Sequence, residues 1–137
     1  PDKLLVQGDR DLLRQTILNL LSNAVKYTPN HGQVNLTVES MPENGHYHIS
    51  VEDSGIGISP DDLEHIFDKF YRCGDGKKLS DGTGLGLSLV KKVVEQIHHG
   101  KVHAQSLPGQ GSKFIIDLPT NPMTSQSPNQ HREEILV

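Results

Sequence analysis

The chain has 137 residues, of which 34% are apolar, 4% are aromatic and none is Trp, and its formal net charge is −4. This length fits one domain with an aliphatic core, and the acidic balance argues against a nucleic-acid binder and against an anionic membrane surface as the main partner. The single cysteine, Cys73, excludes a disulfide framework, and no apolar run exceeds three residues, so neither a membrane-spanning helix nor a signal peptide is expected.

The first elements predicted are a short strand and a long helix. Residues 4–6 form an apolar run that ends at Gly8, and Asp9 is a plausible N-cap because its carboxylate can accept free backbone N–H groups. From Asp11 to Tyr27 the apolar residues recur at helical spacing. They are Leu13, Ile17, Leu20, Leu21 and Ala24.

Two alternating strands follow the helix and are joined by a hairpin. Residues 34–38 and 47–51 both alternate apolar with polar side chains, and Pro42 to Gly45 supply the turn. The period of two places Asp53 on the inward face of the second strand. A buried carboxylate is costly without a partner, so we expect Asp53 to have one.

The second half of the chain predicts two helices separated by a loop. Residues 59–66 form a short helix capped by Ser59, and a second amphipathic helix runs from Gly84 to about His98 with Leu87, Val90, Val94 and Ile97 on one side. The intervening residues 71–83 are glycine-rich and polar, which predicts a mobile loop, and loops of this length are usually functional or disordered.

The remaining pattern completes the fold prediction. Strands around residues 102–104 and 114–118 are joined by a turn at Gly109 and Gly111, and the polar stretch from Pro119 onward predicts a disordered tail. The predicted domain therefore covers residues 1–119, and the tail covers residues 120–137. Strands at both ends with helices between them indicate an α/β two-layer sandwich, a mixed sheet covered on one face by helices.

Three short motifs carry chemical groups that could bind a ligand or could serve only the fold. Asn19 and Asn23 are helix neighbours at i and i+4 with Lys26 further along that side, a set that could ligate Mg²⁺ and phosphate or simply face solvent. Asp53 to Gly57 could hold an exocyclic amine beside a closely approaching backbone, or merely close a strand with an Asx turn. Gly82 to Leu87 opens a helix, which suits phosphate binding or a flexible hinge.

The order of these motifs resembles the catalytic ATP-binding domain of bacterial sensor histidine kinases. The Asn motif is followed by Asp-x-Gly-x-Gly, by Ile66 to Arg72, by the loop, by the glycine-rich turn and finally by Gly109-x-Gly111. The match covers about residues 4–119, and the five motifs are specific only together. The resemblance implies the Bergerat fold of the nucleotide-binding superfamily that also includes DNA gyrase.

The resemblance also implies a role for each motif residue. Asn23 would ligate Mg²⁺ with support from Asn19, and Lys26 and Tyr27 would lie beside the phosphates and ribose. Asp53 would accept the adenine amine in a pocket shaped by Gly55 and Gly57. Residues 71–83 would form an ATP lid, in which Arg72 and one of Lys77 or Lys78 are candidates for contacting the γ-phosphate. The glycine-rich turn would wrap the phosphates, through Gly82, Thr83, Gly84, Leu85 and Gly86.

The side chain at position 19 favours phosphoryl transfer over hydrolysis. Hydrolytic relatives carry a Glu that activates water at the matching position, whereas the Asn19 amide cannot act as a general base. The acceptor histidine of the family lies in a His-Glu/Asp-x-Arg-Thr-Pro context, which none of the eight histidines has. We therefore expect a separate dimerisation and phosphoacceptor domain before Pro1, the chain itself being a piece of a longer protein.

These inferences define the expected partners and the competing functions. The cofactors would be ATP and Mg²⁺, and the partners the phosphoacceptor domain and, downstream, a response regulator. We expect a monomeric isolated domain, a homodimeric full-length kinase, and a cytoplasmic location even where the parent protein is membrane-anchored. The alternatives are a hydrolytic ATPase or anti-sigma-type serine kinase on the same fold, or a docking module that binds no nucleotide.

Overall fold

The computed structural model describes residues 5–41, 43, 45–69, 71, 86–119 and 134–136. The elements are, in chain order, β1 Leu5–Gln7, α1 Arg10–Tyr27, β2 Val34–Met41, β3 His46–Asp53, α2 Pro60–Leu63, α3 Gly86–Lys91 with the π-helical segment Lys92–Ile97 after it, β4 Lys101–Leu107, β5 Gly111–Pro119 and β6 Glu134–Leu136. None of the helices in these residues has both the length and the apolar character that crossing a membrane requires.

Helix α1 begins and packs as its sequence predicts. The Asp9 side chain accepts a hydrogen bond from the Leu12 backbone N–H at 3.0 Å, which caps the first turn. Leu13, Leu20 and Ala24 are buried. Thr16 is buried with them, a position that the apolar pattern alone did not reveal.

The main sheet has four strands in the order β2-β3-β5-β4. All three of its strand pairings are antiparallel, so the expected mixture of strand directions is wrong. The hairpins β2–β3 and β4–β5 account for two of these pairings, because a short connection reverses the chain, and the third joins the two hairpins through β3 and β5. β5 lies between β3 and β4, which run in the same direction without pairing with each other.

The helices cover one face of this sheet, which confirms the two-layer α/β architecture. The side chains of β3 and β5 alternate, and the buried set faces α1, α3 and the π-helical segment. That set comprises Ile49, Val51, Phe114, Ile116 and Leu118. Asp53 continues the same row and is only 7% exposed, as the period of two predicts.

Helix α2 is shorter than predicted. It covers Pro60–Leu63 and is capped by Ser59, whose hydroxyl accepts the Asp62 N–H at 3.2 Å. Beyond it the backbone makes successive tight turns rather than a helix, with His65 N–H donating to the Asp62 carbonyl and Asp68 N–H to the His65 carbonyl.

The second long helix changes type along its length. The described part begins at Gly86 and ends near His98 as predicted, while residues 84 and 85 lie outside the described residues. The π-helical segment has a wider turn than an α-helix, which shifts the buried stripe. Ile97, predicted on the buried side, is therefore exposed, and His98 is buried instead.

The end of the predicted disordered tail is ordered. Residues 134–136 form β6, which pairs antiparallel with β1 so that Leu5 lies opposite Leu136 and Gln7 opposite Glu134. These three residues belong to the stretch predicted as a disordered tail, and the strand differs from that prediction at a position where the β-branched Ile135 suits a strand. The tail from 120 to 133 lies outside the described residues, as do positions 72–83 of the predicted lid.

A pair of substitutions in α1 tests how the helical layer is packed. Leu20 is 0% exposed and Leu18 is 51% exposed, so Leu→Ala has the same helix propensity effect at both positions and differs only in packing. We expect Leu20→Ala to lower the free energy of unfolding by about 2–5 kcal/mol and Leu18→Ala by less than about 1 kcal/mol. Urea unfolding followed by circular dichroism measures both, and equal losses would contradict the described packing.

Candidate nucleotide-binding site

Helix α1 carries a ridge of amides along the edge of its buried stripe. Asn19 and Asn23 each precede a buried residue, Leu20 and Ala24, so the two side chains lie on one side of the helix and are half-buried. No hydrogen bond to either amide comes from the part of the chain that the structure describes. Their oxygens are thus neutral acceptors at the border between the core and solvent.

The next turn of α1 adds a cation and an aromatic ring. The Lys26 Nζ lies 5.6 Å from the centre of the Tyr27 ring, an attractive cation–π arrangement. Both side chains are exposed, which leaves the ammonium accessible to an anion. The Tyr27 backbone carbonyl accepts the N–H of Ile56 at 3.2 Å, so the end of the helix is tied to the loop that follows β3.

The Asp53 carboxylate stands at the start of that loop. Its Oδ1 accepts the Gly55 N–H at 2.9 Å, so the Asx turn that could explain this motif without a ligand is indeed present. No second hydrogen bond to the carboxylate arises within the described residues. A buried carboxylate with remaining acceptor capacity is well suited to an amine of a ligand.

Three glycines let separate backbone segments approach one another closely around the loop of Asp53. A Cβ at position 55 would clash with the Tyr27 carbonyl, and one at position 57, where φ is +75°, would clash with the Leu107 carbonyl. At Gly111, with φ of +94°, a Cβ would overlap the carbonyl oxygen of Asp53 itself. Glycine is required here for both conformation and space.

The β4–β5 turn holds the loop from its other side, through residues that sequence reasoning missed. Ser106 Oγ accepts the Ile58 N–H at 2.7 Å and donates to the Gly111 carbonyl at 2.8 Å. Since its proton is used there, Ser112, at 2.9 Å, acts as the donor to Ser106. Serines in an alternating strand give no signal that would distinguish these two from surface residues.

The structure therefore brings together only part of the predicted site. Asn19, Asn23, Lys26 and Tyr27 share one helix, and the loop of Asp53, Gly55 and Gly57 packs on its C-terminal end. Gly86 is the exposed first residue of α3. The remaining predicted contacts lie outside the described residues: Arg72, Lys77, Lys78, Gly82, Thr83, Gly84 and Leu85.

The residues present fit a magnesium ion that is shared with a phosphate group. Mg²⁺ prefers oxygen ligands and commonly takes only one or two from the protein, the others coming from phosphates and water. The Asn23 and Asn19 amide oxygens meet that requirement. Among the described residues no group of three or more His, Cys, Asp or Glu side chains is placed to hold a metal by itself.

Comparison with known proteins identifies close relatives of this arrangement. Residues 8–122 match the family model described as histidine kinase-, DNA gyrase B-, and HSP90-like ATPase. The chain is 41% identical over 130 residues to the histidine protein kinase DivJ of Caulobacter vibrioides, covering 93% of this chain and 21% of DivJ. It is 40% identical over 121 residues to the sensor histidine kinase WalK of Bacillus subtilis, covering 87% and 20%. The chain thus spans about a fifth of these relatives.

Solved structures show the same fold. The nucleotide-free catalytic domain of the histidine kinase ThkA superposes with a TM-score of 0.73 at 33% identity, covering 85% of this chain and 73% of that one. ThkA in complex with the response regulator protein TrrA superposes with a TM-score of 0.68 at 30% identity, covering 85% and 30%. The four-stranded antiparallel sheet packed against helices is therefore shared with these catalytic domains.

Two glycine substitutions in the β4–β5 turn test the bracing of Asp53. Gly111→Ala and Gly109→Ala both place a side chain at positive φ, but position 109 has open space around it. We expect Gly111→Ala to cost about 1–3 kcal/mol more than Gly109→Ala, because only the former displaces the Asp53 backbone. Urea unfolding of the two variants measures the difference, and equal midpoints would argue against the close approach described.

Proposed function

Since the chain belongs to the histidine kinase-, DNA gyrase B- and HSP90-like ATPase family as the catalytic ATPase domain of a two-component sensor histidine kinase, we propose that it transfers the γ-phosphate of Mg²⁺-bound ATP to a histidine on a separate domain. The observation that carries this proposal is the buried carboxylate of Asp53 at the end of β3, whose following loop is bonded to the end of the α-helix that bears two amides and a lysine.

Asp53 supplies recognition of adenine in this proposal. Its buried carboxylate accepts the exocyclic amine, while Gly55 and Gly57 shape the pocket by letting the loop after β3 pack against the carbonyls of Tyr27 and Leu107. A carboxylate accepts but does not donate, so it favours an amino-substituted purine over one with a carbonyl at that position. This selectivity supports ATP as the nucleotide.

The triphosphate lies along α1 in this arrangement. Asn23, supported by Asn19, provides oxygen ligands for Mg²⁺, which would neutralise phosphate charge when bound. Lys26 and Tyr27 lie one turn further along, beside the phosphates and ribose. The residues proposed at the terminal phosphate are Arg72 and one of Lys77 or Lys78. Those proposed to wrap the phosphates are Gly82, Thr83, Gly84, Leu85 and Gly86.

The amide at position 19 directs the reaction toward a protein acceptor. Hydrolysis would require a group that removes a proton from water, and an amide does not do so at neutral pH. Phosphoryl transfer mainly requires positioning and charge neutralisation. An imidazole nitrogen of the acceptor forms the new bond to phosphorus, the bond from phosphorus to the bridging oxygen breaks, and ADP leaves.

The proposed acceptor lies on a dimerisation and phosphoacceptor domain of the same kinase. None of the eight histidines of this chain has the sequence context of the phosphorylated histidine in this family. The complex of the related kinase ThkA with the response regulator TrrA supports a response regulator as the next partner. We propose a cytoplasmic location for the domain and a homodimeric parent kinase.

Nucleotide titration tests the proposed roles of Asp53 and Asn23. We expect Asp53→Asn and Asn23→Asp each to weaken Mg²⁺–ATP binding by about 10-fold or more, the worth of one hydrogen bond to a charged group or of a repulsive charge beside the phosphates. Asn35→Asp adds the same charge on exposed β2 and serves as the control. Calorimetric affinities of both variants equal to those of the parent chain would contradict the site.

The acceptor chemistry has its own test. The chain is incubated with labelled ATP and a separately prepared phosphoacceptor domain of a histidine kinase, with the acceptor histidine replaced by Gln as the control. We expect label on the acceptor domain that is lost in acid and retained in base, because phosphohistidine is acid-labile and phosphoserine is not. Acid-stable label would indicate a serine kinase, and release of free phosphate alone would indicate a hydrolytic ATPase.

A further inference from the structure

The end of the second long helix departs from its own hydrophobic pattern. An unbroken α-helix would place Ile97 one turn beyond the buried Val94, on the same stripe. Instead Ile97 is 44% exposed and His98 is 7% exposed. The π-helical segment causes the exchange, because its His98 N–H donates to the carbonyl of Val93 five residues earlier. The polar ring of His98 is thus buried in place of the aliphatic side chain of Ile97.

Both nitrogens of the buried His98 ring are engaged. Nδ1 lies 2.9 Å from the Val93 carbonyl oxygen, and since a carbonyl only accepts, Nδ1 carries the proton. Nε2 accepts the backbone N–H of Asp9 at 2.8 Å. The neutral ring with its proton on Nδ1 is therefore the form that satisfies both contacts.

The second contact reaches the start of α1. Asp9 is the N-cap of that helix, 89 positions away from His98 in the sequence. The ring also packs directly on Gly8, where a Cβ would lie 2.6 Å from the His98 Cδ2 atom. The imidazole therefore joins the end of the π-helical segment to the residue at which the chain enters α1.

We propose that His98 is a positioning residue for the phosphate end of the site: it holds the N-terminus of α1, and with it the direction of the helix that carries Asn19 and Asn23. The inference rests on the proposed function of that helix. The opposite end of α1 is already held by the bond from Ile56 N–H to the Tyr27 carbonyl. Hydrogen bonds at both ends fix the tilt of α1, whereas a hydrogen bond at one end alone leaves the tilt of the helix free to change.

This arrangement separates the two halves of the site. Asp53 lies on β3 and is braced by Gly111 in β5, so its contact with adenine does not depend on His98. The amides on α1 do depend on the tilt of the helix. Loss of the His98 contact should therefore reduce the gain in ATP affinity that Mg²⁺ provides and leave metal-free ATP binding nearly unchanged.

The experiment compares His98→Leu, which removes both contacts, with His98→Gln, which keeps an acceptor at the end of a flexible side chain. Leu118→Ala, at a fully buried position of β5, controls for loss of stability alone. Each protein is titrated with ATP in Mg²⁺ and in EDTA, at a temperature where circular dichroism shows it folded. Amide exchange at residues 9–13 reports directly on the start of α1.

We expect His98→Leu to lower the Mg²⁺-dependent gain about fivefold to tenfold, the worth of one hydrogen bond, and to speed exchange at Asp9. His98→Gln should restore most of the Mg²⁺-dependent gain in ATP affinity. Leu118→Ala should lower the urea midpoint and leave that gain unchanged. If His98→Leu does not fold, Gly8→Ala keeps the imidazole but displaces it and should lower the gain in the same way.

The outcomes separate the two proposals. A parent chain that binds Mg²⁺–ATP, together with His98→Leu or Gly8→Ala variants that keep the full gain, overturns the positioning role and leaves the proposed function standing. An equal loss of gain in Leu118→Ala shows a general effect of stability and also overturns the positioning role. A parent chain without any Mg²⁺-dependent gain overturns the proposed function and the inference with it.

Discussion

The site depends on one constraint, which is the close packing of backbone segments around the loop that carries the Asp53 carboxylate. Gly55 lies against the carbonyl of Tyr27, and Gly111 lies against the carbonyl of Asp53 itself. Such contacts leave no room for a Cβ, so the loop after β3 is fixed between the end of α1 and the start of β5. The strand order makes this possible, because β5 is inserted beside β3 rather than added at the edge of the sheet. Asp53 is consequently buried without being free to turn away, which is the condition for a carboxylate to recognise one ligand group.

The site has two halves of different construction that meet at one hydrogen bond. The half around Asp53 is made of backbone held by the sheet, whereas the half on α1 is made of side chains on a helix surface. The bond from Ile56 N–H to the Tyr27 carbonyl joins them. A rigid purine suits the first half and a flexible, hydrated triphosphate suits the second. Under the proposed function, this division lets the purine be held by the sheet while the far end of the nucleotide is presented to another protein, as phosphoryl transfer requires.

The sequence predicted what depends on local pattern and missed what depends on distant contacts. The helix α1, its Asp9 cap and the buried position of Asp53 follow from spacing alone. The direction of the strands does not, because alternation is the same in parallel and antiparallel sheets. The pairing of β1 with β6 joins residues more than a hundred positions apart, and nothing in either short segment indicates the other as its partner. The hydrogen bonds by which Ser106 supports the loop could not be predicted either, because a serine in an alternating strand looks the same in the sequence whether it binds a loop or faces solvent.

The burial of His98 shows why apolar packing alone would leave α1 poorly placed. Leu13, Leu20 and Ala24 hold the helix on the sheet, but apolar contacts are non-directional, so they tolerate small sliding and rotation of the helix. Hydrogen bonds at its two ends have defined lengths and angles, and they remove that freedom. A regular α-helix would place Ile97 on the buried stripe. In the π-helical segment the Ile97 side chain is exposed instead, and the His98 imidazole that follows accepts the Asp9 N–H. Local patterns that conflict with the fold in this way are characteristic of functional positions, and here the conflict lies at the contact that sets the direction of the helix bearing the two amides.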